Sequence, residues 1–161
     1  MNIRLALKSD QDEVWSVVEP VLRAGQTYPL PRDISREDGL AYWFAADKTL
    51  FVAEDESGAI IGLYYIKPNN PGPGDHICNC GYVTRLDKRG QGIAQKLCAH
   101  SLTYAKNAGY RGMQYNLVVS TNEPAVYLWQ KMGFEIVGTQ PGVFRHPDKG
   151  DVDAYVMFQT L

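Results

Sequence analysis

The stretch Arg89-Gly-Gln-Gly-Ile-Ala-Gln95 restricts the folds open to this chain more than any other. It lies between an apolar run, Ile77 to Thr84, that reads as a strand and a segment, Gly92 to Ala108, that reads as a helix. In that helix Ile93, Leu97, Leu102 and Ala105 share one side and Gly109 serves as C-cap. Glycines at such a junction let the backbone turn tightly and come close to a ligand, because no Cβ intervenes. The first helical turn adds unpaired N–H groups and the positive end of the helix dipole. Together these can hold a pyrophosphate, with Gly90, Gln91, Gly92, Ile93, Ala94 and Gln95 giving backbone donors and Arg89 a nearby charge. A Walker loop is excluded, since no Gly-Lys-Ser/Thr follows. A Rossmann site needs an acid about 20 residues on, and Gly109 to Met113 carries none. A turn that merely packs a helix on a sheet stays open on this motif alone.

The rest of the chain supplies strands and helices around that junction. Ile3 to Leu7 reads as a strand. Ser9 and Asp12 form a capping box for a helix with Val14, Trp15, Val17, Val18, Val21 and Leu22 on one face. Gly25 to Asp33 is a proline-rich loop, and Ser35 with Asp38 opens a short helix through Leu40, Tyr42, Trp43 and Phe44. Thr49 to Ala53 and Ala59 to Ile66 read as strands of a hairpin turning at Asp-Glu-Ser-Gly, and Asn69 to Asp75 as a loop. Met113 to Val119 is a strand, Asn122 to Met132 a helix stopped by Gly133, and Phe134 to Val137 and Ala154 to Phe158 are the last strands. The predicted order is βααβββαβαββ, a mixed α/β arrangement within a single domain, 1–161.

Composition narrows the partners. A net charge of −2 gives no electrostatic reason to expect nucleic acid or an anionic membrane. No apolar run approaches the roughly 18 residues of a membrane span. The start turns acidic too soon for a secretory signal, and Cys78, Cys80 and Cys98 lack a disulfide-framework spacing, so a cytoplasmic protein with reduced thiols is expected. His76-x-Cys78-x-Cys80 invites a metal check. Alternate strand residues stand roughly 7 Å apart, too linear for one tetrahedral ion, so no metal is expected.

At the glycine turn Arg89, Gly92 and Ala94 resemble the Gln/Arg-x-x-Gly-x-Gly/Ala signature of the GNAT acetyltransferase superfamily. Further on, Asn122, Ala125, Leu128, Lys131, Gly133 and Phe134 are similar to the same family's Asn-x-x-Ala-x-x-Leu-Tyr-x-Lys-x-Gly-Phe. The element order is that family's too. The resemblance implies a GNAT fold, a single mixed twisted sheet of about seven strands flanked by four helices. It also implies an N-acetyltransferase using acetyl-coenzyme A, with homodimers common. By the same resemblance the pantetheine arm pairs with Tyr82, Val83 and Thr84 like an added strand, and Asn122 bonds the arm from the other side. The structural alternative for Asn122 is an N-cap.

Acetyl transfer needs a neutral amine, and an amine of pKa about 10 pays about 4 kcal/mol for deprotonation at pH 7. The thiolate leaves readily, so an acid for it matters less. The family often places a tyrosine acid where Trp129 stands; tryptophan packs against the cofactor but donates no such proton, and Tyr127 lies on the far side of the helix. Where some members carry a glutamate base this chain has Cys78. Positioning and ordered water are therefore expected to carry the reaction. Asn79 and Asn116 stand inside central strands, where asparagine is disfavoured. With Asn-Leu-Val-Val-Ser-Thr (116–121) they are similar to azetidine-2-carboxylate N-acetyltransferases, which act on cyclic imino acids. That resemblance implies that both orient substrate or thioester; the alternative is structural amides at a bulge. Tyr28, Leu30, Arg32 and Trp43 are the expected acceptor site, poor in carboxylates and so unsuited to polyamines. An amino or imino acid held by Arg32, Arg85 or backbone N–H groups fits better, with Phe144, Arg145 and His146 in a late loop nearby. The rivals are a protein N-terminal or lysine acetyltransferase and a non-catalytic coenzyme A sensor.

Overall fold

The computed structural model describes residues 1–161. It begins with β1 (Asn2–Leu5) and α1 (Gln11–Ala24), whose Val14, Trp15, Val17, Val18, Val21 and Leu22 are all buried. The expected Ser9 capping box is replaced. Arg4 on β1 binds the Asp10 carboxylate at 2.7 and 3.1 Å, and Asp10 accepts from the Leu7 amide at 2.7 Å. A 3-10 turn, Lys8–Asp10, therefore precedes the helix, and Asp10 takes the N-cap position. The Arg4 guanidinium and the Leu7 amide hold the Asp10 carboxyl below the usual carboxylate range. In α2 (Arg36–Trp43) the predicted cap forms, Ser35 Oγ accepting from the Asp38 amide at 3.0 Å.

The remaining elements are β2 (Thr49–Glu54), β3 (Ile60–Pro68), β4 (Ile77–Thr84), α3 (Ile93–Asn107), β5 (Gly112–Val119), α4 (Glu123–Lys131), β6 (Glu135–His146) and β7 (Gly150–Thr160). They form one 7-stranded sheet in the order β1-β2-β3-β4-β5-β7-β6. Every neighbouring pair is antiparallel except β4 and β5. Side-chain alternation divides the core between two faces. Tyr64, Cys78, Cys80, Met113 and Tyr115 pack with residues of α3 and α4, while Leu63, Tyr65 and Val83 pack with α1 and α2. No helix is long and apolar enough to cross a membrane.

The last hairpin is longer than its sequence suggests. Gly138, Pro141 and Gly142 read as breakers, yet β6 continues to His146 through irregularities between Ile136 and Gly138 and between Gln140 and Phe144. Proline is tolerated there because β6 is an edge strand. Phe144, Arg145 and His146 consequently stand in β6, paired with Val152, Asp151 and Gly150, rather than in a loop.

Candidate functional site

The parallel pair is where the sheet opens. β4 and β5 are in register only at Ile77↔Gly112 and Cys78↔Met113. From Asn79 to Thr84, β4 stays paired with β3 on one side and has no strand partner on the other. Its backbone there can accept an extended ligand as a strand accepts its neighbour. Val83 and Tyr82 face opposite sides, Tyr82 being fixed by hydrogen bonds its hydroxyl shares with Ser101 Oγ (2.7 Å) and Tyr115 Oη (3.0 Å). Burial pushes the Tyr82 phenol well above its usual range, so it works as a neutral hydrogen-bonding group.

Asn79 sits at the foot of this opening. The residue is 7% exposed, its Nδ2 donates to the Gln114 carbonyl at 2.9 Å, and its Oδ1 accepts from Tyr65 Oη at 3.2 Å. The side chain thus bridges β4 to β5 just where their own ladder ends. Asn116 is placed differently. It lies in the irregular part of β5 between Tyr115 and Val118 and is exposed. Its Oδ1 accepts from Gln114 Nε2 at 2.8 Å and its Nδ2 donates to Asn69 Oδ1 at 2.7 Å.

At the top of β4 a 3-10 turn, Leu86–Lys88, leads into the glycines. Gly90 (φ 77°) and Gly92 (φ 75°) both adopt the left-handed region, and Gly92 is the N-cap of α3. None of the amides from Gly90 to Gln95 donates a backbone hydrogen bond, while the Gly92 carbonyl is taken by the Lys96 amide at 3.1 Å. The first turn of α3 carries no acid. Buried Ile93 anchors this turn, and a Cβ at Gly90 or Gly92 would meet nothing within 4 Å. The result is a group of open, unpaired donors at a positive helix end, which suits a diphosphate. Arg89 is exposed beside it, whereas Arg85 is held by Asp87 through two bonds of 3.0 Å.

Two further expected site residues belong to α4 and its start. Asn122 occupies the N-cap position of α4 but its side chain makes no capping bond; its carbonyl instead accepts from Ala125 and Val126 amides at 3.0 and 3.1 Å. Trp129 is 8% exposed and packs on Tyr82 and Tyr115 with ring centroids 4.9 and 5.2 Å away. Tyr127 points to solvent at 69% exposure.

On the α1/α2 face, the loop after α1 and strand β6 enclose a cavity of about 220 Å³ lined by Tyr28, Leu30, Arg32, Phe144 and Arg145 among others, and by no carboxylate. Arg32 Nε donates to the Arg23 carbonyl at 2.9 Å, leaving its terminal nitrogens for the cavity. Arg145 is 90% exposed with Asp151 3.6 Å away. Trp43 is not in the lining; it is fully buried behind Tyr28, ring centroids 5.5 Å apart. Neither Tyr28 Oη nor Trp43 Nε1 has a hydrogen-bond partner. Tyr28 connects the cavity to the sheet opening, because a Cβ on Gly81 of β4 would lie 2.6 Å from its hydroxyl and 2.5 Å from the Tyr65 ring. Gly81 and Tyr65 stand outside the expected site residues. A glycine inside a central strand is itself the signal of a close approach.

Residues 14–134 match the acetyltransferase (GNAT) family. The chain is 29% identical over 155 residues to N-acetyltransferase aca1 of Schizosaccharomyces pombe, covering 84% of this chain and 72% of that one. A GCN5-related N-acetyltransferase from Kribbella flavida superposes with a TM-score of 0.94 at 32% identity, over 99% of this chain and 97% of the other. A phosphinothricin acetyltransferase from Sinorhizobium meliloti, solved with acetyl-coenzyme A, shares the fold at a TM-score of 0.87 and 18% identity, over 99% and 88%. The family match, joined to a sheet that opens beside a helix end rich in free amides, makes this chain a member of the acetyltransferase (GNAT) family, an acetyl-coenzyme A-dependent N-acyltransferase.

Proposed function

We propose that the acceptor is a small amino or imino acid, acetylated on its nitrogen at the foot of the β4/β5 opening. The observation that carries this reading is the cavity beside that opening, which presents Arg32 and Arg145 and no carboxylate. Such a lining attracts an anionic group on the acceptor and repels a polyamine. The names of relatives agree in kind, one being a phosphinothricin acetyltransferase. Similarity around Asn116 to azetidine-2-carboxylate acetyltransferases points to cyclic imino acids within that class.

Acetyl-coenzyme A supplies a thioester whose carbonyl carbon takes the amine's lone pair as the carbon–sulfur bond breaks and the thiolate leaves. Backbone amides from Gly90 to Gln95 grip the diphosphate, with Arg89 adding charge. Tyr82, Val83 and Thr84 offer their unpaired edge to the pantetheine arm, while the free carboxamide of Asn122 reaches it from the α4 side and Trp129 packs alongside. Asn79 has a second Nδ2 hydrogen beyond the one given to Gln114, and it donates to the oxygen that gains charge in the transition state. Asn116 and Asn69 hold the acceptor's polar end. Tyr28, Leu30 and Arg32 form the acceptor wall, Trp43 backs it from behind Tyr28, and the Tyr28 hydroxyl has no other hydrogen-bond partner. The amine's proton passes to water, since Cys78 stands where a base would be and is fully buried.

Thiol release measured with a panel of amino acids, azetidine-2-carboxylate, a polyamine and an N-terminal peptide tests the reading. Turnover of an amino or imino acid, lowered by Asn79→Ala and Asn116→Ala without loss of cofactor binding, is the expected result. Turnover of the peptide alone would overturn it in favour of a protein acetyltransferase.

A further inference from the structure

Tyr65 has no part in the chemistry above, yet it holds the group that does. The Gln114 carbonyl can only accept, so the Asn79 atom 2.9 Å from it must be the amide nitrogen. The other end of that side chain is then Oδ1, and the Tyr65 hydroxyl 3.2 Å away must donate to it. With its own proton spent, Tyr65 can only accept at the 3.3 Å contact with Tyr42, which makes Tyr42 the donor there. One orphan carbonyl at the end of the β4/β5 ladder therefore sets the direction of every bond in the line Tyr42, Tyr65, Asn79, Gln114. The Lys48 side chain is 6% exposed, and its ammonium lies over the Tyr42 ring at 4.2 Å and near the Tyr65 ring at 5.5 Å, holding both from behind.

We infer that Tyr65 is a positioning residue for the acetyl transfer: its donated hydrogen bond keeps the Asn79 carboxamide turned with nitrogen, not oxygen, toward the opening between β4 and β5. This rests on the reading of Asn79 given above. A carboxamide turned the other way would present a partial negative charge to an oxygen that is itself becoming negative. Tyr65 is on the same strand face as Leu63 and packs against Tyr42 and Trp43, at centroid distances of 6.0 and 5.5 Å, so a phenylalanine keeps its packing and loses only the hydroxyl.

Steady-state kinetics on Tyr65→Phe, Asn79→Ala and the double variant test it, with cofactor affinity from calorimetry. Tyr65→Phe should lower kcat about tenfold, as loss of one well-placed hydrogen bond does, with acetyl-coenzyme A binding changed less than about twofold. Tyr42→Phe, one bond further back, should lower kcat about threefold. The double variant should be no slower than Asn79→Ala, because Tyr65 acts only through Asn79. Losses that multiply instead show that Tyr65 acts by another route and overturn the inference. So does a Tyr65→Phe enzyme with wild-type kcat while Asn79→Ala is impaired, an outcome that leaves the role of Asn79 standing. If Asn79→Ala itself is as fast as wild type, the reading of Asn79 falls and takes this one with it. Should Tyr65→Phe not fold, Tyr42→Phe paired with Asn79→Ala carries the same comparison.

Discussion

The two ends of the opening are built by different means. At the glycine turn the groups proposed to hold the diphosphate are unpaired main-chain amides of neighbouring residues, Gly90 to Gln95, and their direction follows from two positive φ angles and a helix start. At the proposed acceptor end the groups are side chains, and Tyr28, Tyr65 and Arg145, with the Gly81 backbone between the two tyrosines, come from separate elements. Main-chain donors tolerate almost any side chain that leaves the backbone in place, whereas a wall of interlocked rings depends on each member. One end should therefore respond to changes of conformation and charge, and the other to changes of shape.

Gly92→Asp should have the largest effect, because it forces a side chain into the left-handed region and sets a carboxylate where an anion binds. Affinity for acetyl-coenzyme A in calorimetry should fall about a hundredfold, near 3 kcal/mol. Undiminished binding would mean that the two ends do not differ as described. Gly81→Ala comes next. Its Cβ would lie 2.5 to 2.6 Å from Tyr65 and Tyr28, so the rings must move, at about 1–3 kcal/mol of stability by thermal unfolding. The acceptor KM should rise about tenfold while cofactor affinity stays put. Equal losses at both would show one cooperative site rather than two. Arg145→Ala, at a residue 90% exposed, should leave the melting temperature unchanged and raise KM for a carboxylate-bearing acceptor about threefold. A neutral amine tested alongside should show no rise.

The same contrast explains what could be read from the residues. Element order and the buried face of α1 follow from local periodicity, and the glycine turn is contiguous, so each was visible in a short window. The line from Tyr42 through Tyr65 to Asn79 was not, since its members meet only when β3 lies beside β4 and α2 packs on β3. Asn79 and Asn116 looked alike as polar residues in strands. Only the sheet register shows one buried at the foot of the opening and the other exposed on an irregular stretch. β6 was underestimated because Pro141 and Gly142 are breakers in most settings, and edge position and a bulge are tertiary facts.

That bulge has a consequence for how acceptor preference can diversify. Between Gln140 and Phe144 the edge strand takes four steps while its partner, from Ala154 to Val152, takes two. The surplus is even, so the inside-outside alternation resumes unchanged and Phe144 still turns inward. Lengthening or shortening this stretch by pairs of residues would resize the proposed acceptor chamber without disturbing the hairpin, whereas a single inserted residue would turn Phe144 out of its inward position.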